Sequence, residues 1–160
     1  MLNLRITDSP FGKAKAVLVT FSEVSMHRNG EWKKVSFADG SATRTCDLKK
    51  LENSTQDVLG TGPLEAGEYT MIRLLVQSAR VYLDNAAVSS TPCAPSIPAP
   101  AGAVSNATIP SGEVKLNGSF GVSTGGATTI LIDFDGESSF TQNGNGAYMM
   151  NPVVRIISVQ

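Results

Sequence analysis

Hydrophobic and polar positions alternate with a period of two along most of this chain. Leu2, Leu4 and Ile6 face Asn3, Arg5 and Thr7 across one short segment, the pattern of a half-buried strand. Asp8-Ser9-Pro10 ends it. Residues 14–26 are rich in β-formers, with Val17, Val19 and Phe21 in alternation. Val24 and Met26 fall on the opposite parity, which predicts a bulge near Ser22-Glu23. Arg28-Asn29-Gly30 predicts a hairpin turn, because Asn-Gly tolerates the positive φ that a tight turn needs. Residues 32–37 form the return strand. Further strands are predicted over 67–76, 80–83, 113–120, 127–135 and 148–159. Eight or so short strands separated by turns predict an all-β, two-sheet antiparallel β-sandwich, one domain over residues 1–160.

Two segments break the alternation. Residues 47–59 are predicted as a short helix, with Asp47 as cap and Leu48, Leu51, Val58 and Leu59 as apolar anchors. Gly60-Thr61-Gly62-Pro63 stops it. Residues 86–111 carry Pro92, Pro95, Pro98, Pro100 and Pro110 among Ala and Ser. Such a segment has too little apolar bulk to pack as an element, and it is predicted as a long surface loop.

Composition adds exclusions. With 160 residues and 41% hydrophobic content, the chain can bury a proper core. Only 17% of residues are charged, below the usual quarter. The net charge is −1 with no basic run, so the phosphate neutralisation that nucleic-acid binding requires is missing. No apolar run approaches the ~20 residues that span a bilayer. The N-terminal segment reads as a strand and not as a signal peptide. The chain is therefore either cytosolic or a mature segment carrying an added Met1.

An ordered set of short motifs runs through nearly the whole chain. It comprises Ile6-Thr7-Asp8-Ser9-Pro10; Val19-Thr20-Phe21 with Met26-His27-Arg28; Trp32; Leu64-Glu65-Ala66-Gly67-Glu68-Tyr69 with Ile72-Arg73-Leu74; Pro110-Ser111-Gly112; Leu116-Asn117-Gly118-Ser119-Phe120; Asp133-Phe134-Asp135; and Gly144-Asn145-Gly146 with Tyr148 and Pro152-Val153-Val154-Arg155. This set resembles the secreted bacterial and archaeal family catalogued as domain of unknown function 4382. The resemblance implies an extracytoplasmic domain, secreted, at the cell surface or in the periplasm, often behind a lipoprotein signal that anchors the precursor. It implies a sandwich of the prealbumin-like or Ig-like kind, with Leu64, Gly67 and Tyr69 similar to a strand entry of that fold. Two departures stand out. Phe11-Gly12-Lys13 replaces an acidic segment, so Asp8 is read as structural, and the Pro-rich insert is longer than the family pattern.

Candidate chemistry is sparse. Cys46 and Cys93, the only cysteines, lack zinc-site spacing. In an oxidising compartment they could pair, or they stand as two thiols. His27 is the sole histidine, beside a predicted hairpin turn and with no nucleophile-elbow motif anywhere, and is read as a surface or strand-end residue. Asp133 and Asp135 alternate, which puts both on one strand face about 6.6–7 Å apart at Cα. Paired carboxylates can serve glycoside hydrolysis, but usually from different strands across a cleft. With Glu137, Asn143 and Asn145 they offer hard oxygen donors for calcium, the one cofactor these residue types suggest. Their alternative role is structural, accepting turn amides or pairing with Arg73 or Arg155. The expected function is a non-catalytic extracytoplasmic binding or scaffolding module for an extracellular ligand or protein. The second expectation is a homo-oligomeric or filament subunit assembling through sheet edges, with residues 2–7 or 148–159 donated. A carbohydrate-active hydrolase comes third.

Overall fold

The computed structural model describes residues 1–9 and 14–160; the expected turn at Pro10 and the Phe11-Gly12-Lys13 departure lie outside them. In chain order the elements are β1 (Leu2–Ser9), β2 (Ala16–Arg28), β3 (Glu31–Val35), β4 (Arg44–Asp47), a 3-10 turn (Leu48–Leu51), β5 (Asp57–Gly62), β6 (Gly67–Tyr82), β7 (Cys93–Ala94), β8 (Val104–Asn106), β9 (Glu113–Val122), β10 (Thr128–Asp135), α1 (Gly136–Ser139), β11 (Phe140–Gln142), β12 (Tyr148–Met150) and β13 (Val154–Val159). The smaller sheet has the order β13-β10-β1-β5. The larger runs β7-β4-β2-β6-β8, with β3 also on β2 and β9 also on β6, and β11 and β12 form a separate hairpin. The fold is all-β and sandwich-like.

The two sheets meet through their alternating apolar faces. Leu2, Leu4, Ile6, Ile130, Ile132 and Phe134 come from the smaller sheet, and Val17, Val19, Phe21, Val24, Met26, Ile72 and Leu74 from the larger. All are buried in one cluster. Phe21 meets Phe134 edge-on at 6.2 Å between ring centroids, joining the layers. Each such side chain contributes about 1.5–3 kcal/mol by leaving water.

Local chemistry explains several joints. The β2–β6 register shifts between Thr20 and Phe21 and again between Phe21 and Glu23. This bulge lets both parities of β2, Val17-Val19-Phe21 before it and Val24-Met26 after it, face the core. Asn29 and Gly30 have φ of 52° and 76°, the double positive φ of a primed hairpin turn. Gly67 has φ +146°, and a Cβ there would stand 2.5 Å from the Arg28 side chain. Two residues on, the Tyr69 hydroxyl donates to the Glu65 carbonyl at 2.7 Å, and its ring stacks on Phe120 at 5.4 Å.

Four features differ from the sequence expectation. The helix expected over 47–59 is a single 3-10 turn. Asp47 caps it by accepting from the Lys49 amide, and Leu48 and Leu51 are buried, but residues 57–62 become β5 because β1 needs an antiparallel partner. The strands expected at 67–76 and 80–83 are one 16-residue strand, β6. The last expected strand divides into β12 and β13 around Pro152, which has no N–H for a ladder. Among the described residues the ladders are antiparallel except β1–β10, which is parallel. β1 therefore lies inside its sheet, paired on both sides, and cannot be donated to a neighbour without dismantling the sheet.

The Pro-rich segment is tied down at several points. Cys46 and Cys93 form a disulfide. The Cys93 amide donates to Asp57 at 2.9 Å, and β8 pairs with β6. Ala87 and Ile97 pack with Ala16, Leu18 and Tyr82 in a small second cluster. Ala16 and Leu18 point away from the main core, so the loop covers this end of the larger sheet's outer face.

The disulfide spans 47 positions of sequence. In the chain-entropy description such a closure contributes about 4 kcal/mol. The double variant Cys46→Ala, Cys93→Ala should therefore lose about that much in urea unfolding, and wild type should lose a similar amount in reductant. Identical midpoints with and without reductant would show that the other tethers suffice.

Candidate functional site

Two surfaces carry polar chemistry. The first is the carboxylate end of the smaller sheet. Strand register aligns Thr7, Asp133 and Arg155 across β1, β10 and β13. Asp133 is 4% exposed, and Arg155 approaches it at 3.3 Å with most of its own side chain in solvent. The Thr7 hydroxyl donates to the Thr55 carbonyl at 2.7 Å and lies 3.1 Å from the Leu51 carbonyl. With Ser54, Gln56, Leu131 and Ile157 they line an open groove of about 290 Å³.

The other residues singled out for calcium have separate local uses. Asp135 caps α1 by accepting from the Ser138 amide at 3.0 Å, and Glu137 is exposed in that first turn. Asn143 and Asn145 stand in the β11–β12 turn, where Asn145 accepts from the Ala147 amide. Among the described residues no three His, Cys, Asp or Glu side chains gather as a metal site.

Asp8 also lines this groove, from the end of β1. It continues the inward series Leu2, Leu4, Ile6, and it is 5% exposed. Its Oδ1 accepts from the Gly136 amide at 2.9 Å, tying the end of β1 to the start of α1. Its Oδ2 is buried without a hydrogen-bond partner among the described residues. Burial pushes this carboxyl up to about 8; the Gly136 amide pulls it down, and the charges of Asp133, Glu52 and Asp135 push it further up.

The second surface is the outer face of the larger sheet, beyond the part that the Pro-rich loop covers. After the β2 bulge, Glu23, Ser25 and His27 point outward. Register sets Lys34, Ser25, Arg73 and Lys115 in one row across β3, β2, β6 and β9, and Trp32, His27, Met71 and Asn117 in the next. Ion pairs link these strands as a ladder whose last step, Glu113 to Lys115, lies within β9. Lys34 meets Glu23 at 3.2 Å, Glu23 meets Arg73 at 2.9 Å, Arg73 meets Glu113 at 3.9 Å, and Glu113 meets Lys115 at 3.2 Å. Glu23 is held below the usual carboxylate range, first by the Ser25 hydroxyl and then by Lys34 and Arg73, against its desolvation. The Arg73 guanidinium lies 4.4 Å from the centre of the Trp32 ring. His27 meets the same indole edge-on at 4.9 Å, and its Nδ1 is 3.2 Å from the Thr70 hydroxyl. Beside Glu23 and Lys34 a polar groove of about 230 Å³ continues past Ser22, Ser36 and Ser41.

Residues 1–152 match the model of the family described as Domain of unknown function (DUF4382). The chain belongs to that family. No curated protein and no solved structure matches it. Several of the motifs that pointed to DUF4382 are structural joints in this domain: Gly67 and Tyr69 at the entry to β6, Asp8 at the β1–α1 junction, and Asp135 as a helix cap. Trp32, His27 and Arg73 come from three separate motifs, and the fold brings them into one cluster.

Sequence reasoning treated Arg73 and His27 singly and missed this cluster. The signal lay in the bulge it did detect: a parity switch that turns Val24 and Met26 inward must turn Glu23, Ser25 and His27 outward. It also missed the inward position of Asp8, which the alternation from Leu2 already specified.

Asp8 makes the DUF4382 domain's stability depend on pH with a definite sign. An unfolded Asp releases its proton near 3.9, whereas the folded one holds it to about 8. Between those values the folded state binds more protons than the unfolded state, so this residue's contribution falls as pH rises from about 4 to about 8. Asp8→Asn should flatten that part of the profile and raise the urea midpoint at pH 8 relative to wild type. Parallel wild-type and variant profiles across pH 5, 6.5 and 8 would contradict the assignment.

Proposed function

We propose that this DUF4382 domain is a non-catalytic extracytoplasmic binding module that engages its ligand on the open half of the larger sheet's outer face. The observation that carries this reading is the Trp32–Arg73–Glu23 cluster, a partly exposed aromatic set in a rigid ladder of charges on paired strands. Function needs recognition groups held in fixed geometry, and strand pairing fixes these. The Cys46–Cys93 disulfide supports an oxidising compartment. Among the described residues no helix is long and apolar enough to cross a membrane.

The rivals have less support. A histidine-dependent hydrolase would have to use His27, whose ring is already engaged with Trp32 and Thr70. Assembly by strand donation would have to use an edge. β13 pairs with β10 alone, but its register shifts opposite Leu131 and Ile132, and such a bulge is a feature by which natural sheet edges discourage pairing.

The purified, disulfide-bonded domain should stay monomeric in size-exclusion chromatography and bind saturably to cell envelopes of its source. Ordered filaments in negative stain, or envelopes that retain no domain, would overturn the proposal.

A further inference from the structure

We infer that the ligand of this face is a neutral glycan chain, lying along β3 from Trp32 into the groove beside Glu23 and Lys34; the inference rests on the binding-module reading above. Three observations point to that chemistry. First, a sugar ring offers an apolar C–H face and an equatorial rim of hydroxyls, so its site needs an aromatic platform beside paired donors and acceptors. Arg73 and His27 hold the Trp32 ring in place, and its part-exposed remainder supplies the platform. Glu23 and Arg73, which hold each other at 2.9 Å, place an acceptor and a donor side by side in fixed geometry. Secondly, the charge on this row is almost balanced. Lys34, Arg73 and Lys115 stand against Glu23 and Glu113 in alternation. A polyanion would meet two carboxylates as well as three cations, and a basic peptide the reverse. A chain of hydroxyls, each both donor and acceptor, matches alternating groups without leaving a charge unpaired. Thirdly, the row does not stop at the sheet. Ser22, Ser36 and Ser41 continue it into the groove beside Glu23, and Lys34 and Ser36 alternate with Trp32 along one strand face. The face is therefore long in one direction and lined by small hydroxyls, as a polymer of repeating units requires.

The cluster also provides its own reporter. Trp32 is the only tryptophan, so its emission should change when a sugar stacks near it. The test is titration of the full, disulfide-bonded chain with soluble glucan, mannan and xylan, with polygalacturonate and heparin as anionic probes. Emission and isothermal calorimetry are both recorded. The expected result is saturable binding of at least one neutral polysaccharide. Trp32→Ala and Glu23→Gln should each weaken it about tenfold or more, with the circular dichroism of the conservative Glu23→Gln that of the folded wild type. Ile157→Ser, on the opposite sheet, should bind as wild type. Envelope binding that no neutral polysaccharide competes would leave the binding-module reading standing and overturn the glycan assignment. Preference for the anionic probes would overturn it as well, as would neutral-glycan binding that survives both substitutions.

Discussion

The pairing of β2 with β6 is the constraint on which the rest of this domain depends. It runs from Ala16–Tyr82 to His27–Met71 and carries the other strands of the larger sheet on its two flanks: β4 and β3 beside β2, and β8 and β9 beside β6. Its inner face supplies Val17, Val19, Phe21, Val24, Met26, Ile72 and Leu74 to the core. Its outer face positions both the Pro-rich loop and the charge ladder. Because side chains alternate strictly along a strand, a one-residue slip would send the core residues to solvent and the ladder inward. Core packing and the surface cluster are thus set by one register.

Buried carboxylates fix the places where strands hand over to other structure. Asp47 accepts from the Val17 and Lys49 amides, and Asp8 accepts from the Gly136 amide. Each leaves one oxygen buried without a hydrogen-bond partner among the described residues. Burial raises both carboxyls above the ordinary range, so each holds its proton to higher pH than a free Asp does. A neutral carboxyl still accepts from an amide through its carbonyl oxygen, while the desolvation cost of the charge is avoided. Asp133 is solved differently: it faces outward, under Arg155. Asp8 and Asp133 therefore take different partners, a backbone amide and an arginine, according to the sheet face that alternation assigns to them.

Features encoded over a few residues were legible in the sequence. The alternation in residues 2–7, the bulge at Ser22-Glu23, the Asn29-Gly30 turn and the Asp47 cap all appear where local pattern puts them. Features that depend on distant partners were not. Val58 and Leu59 look compatible with a helix until β1 is known to need an antiparallel neighbour. The β1–β10 pair joins segments far apart in the chain, Leu2 with Thr128, and nothing in residues 2–9 specifies a parallel partner. The outer-face cluster draws on β2, β3, β6 and β9, so its members stay unrelated until the registers are fixed.

The bulge in β2 has the widest consequence, because it divides the outer face into two kinds of surface. Before it, even-numbered residues point outward: Ala16 and Leu18 are apolar and lie under Ala87 and Ile97 of the Pro-rich loop. After it, odd-numbered residues point outward: Glu23, Ser25 and His27 are polar and remain uncovered by that cluster. Had the parity continued without interruption, Val24 and Met26 would face solvent and Glu23 and Ser25 the core, a loss of apolar burial joined to a buried, unpaired charge. The irregularity thus satisfies the core and, by the same rotation, turns a carboxylate, a hydroxyl and an imidazole toward Trp32 and Arg73. The disulfide acts on the other half, holding the loop's Cys93 against β4 and so limiting how far the cover extends. An open polar surface beside a closed apolar one follows from two adjacent irregularities, an extra residue in β6 and then one in β2.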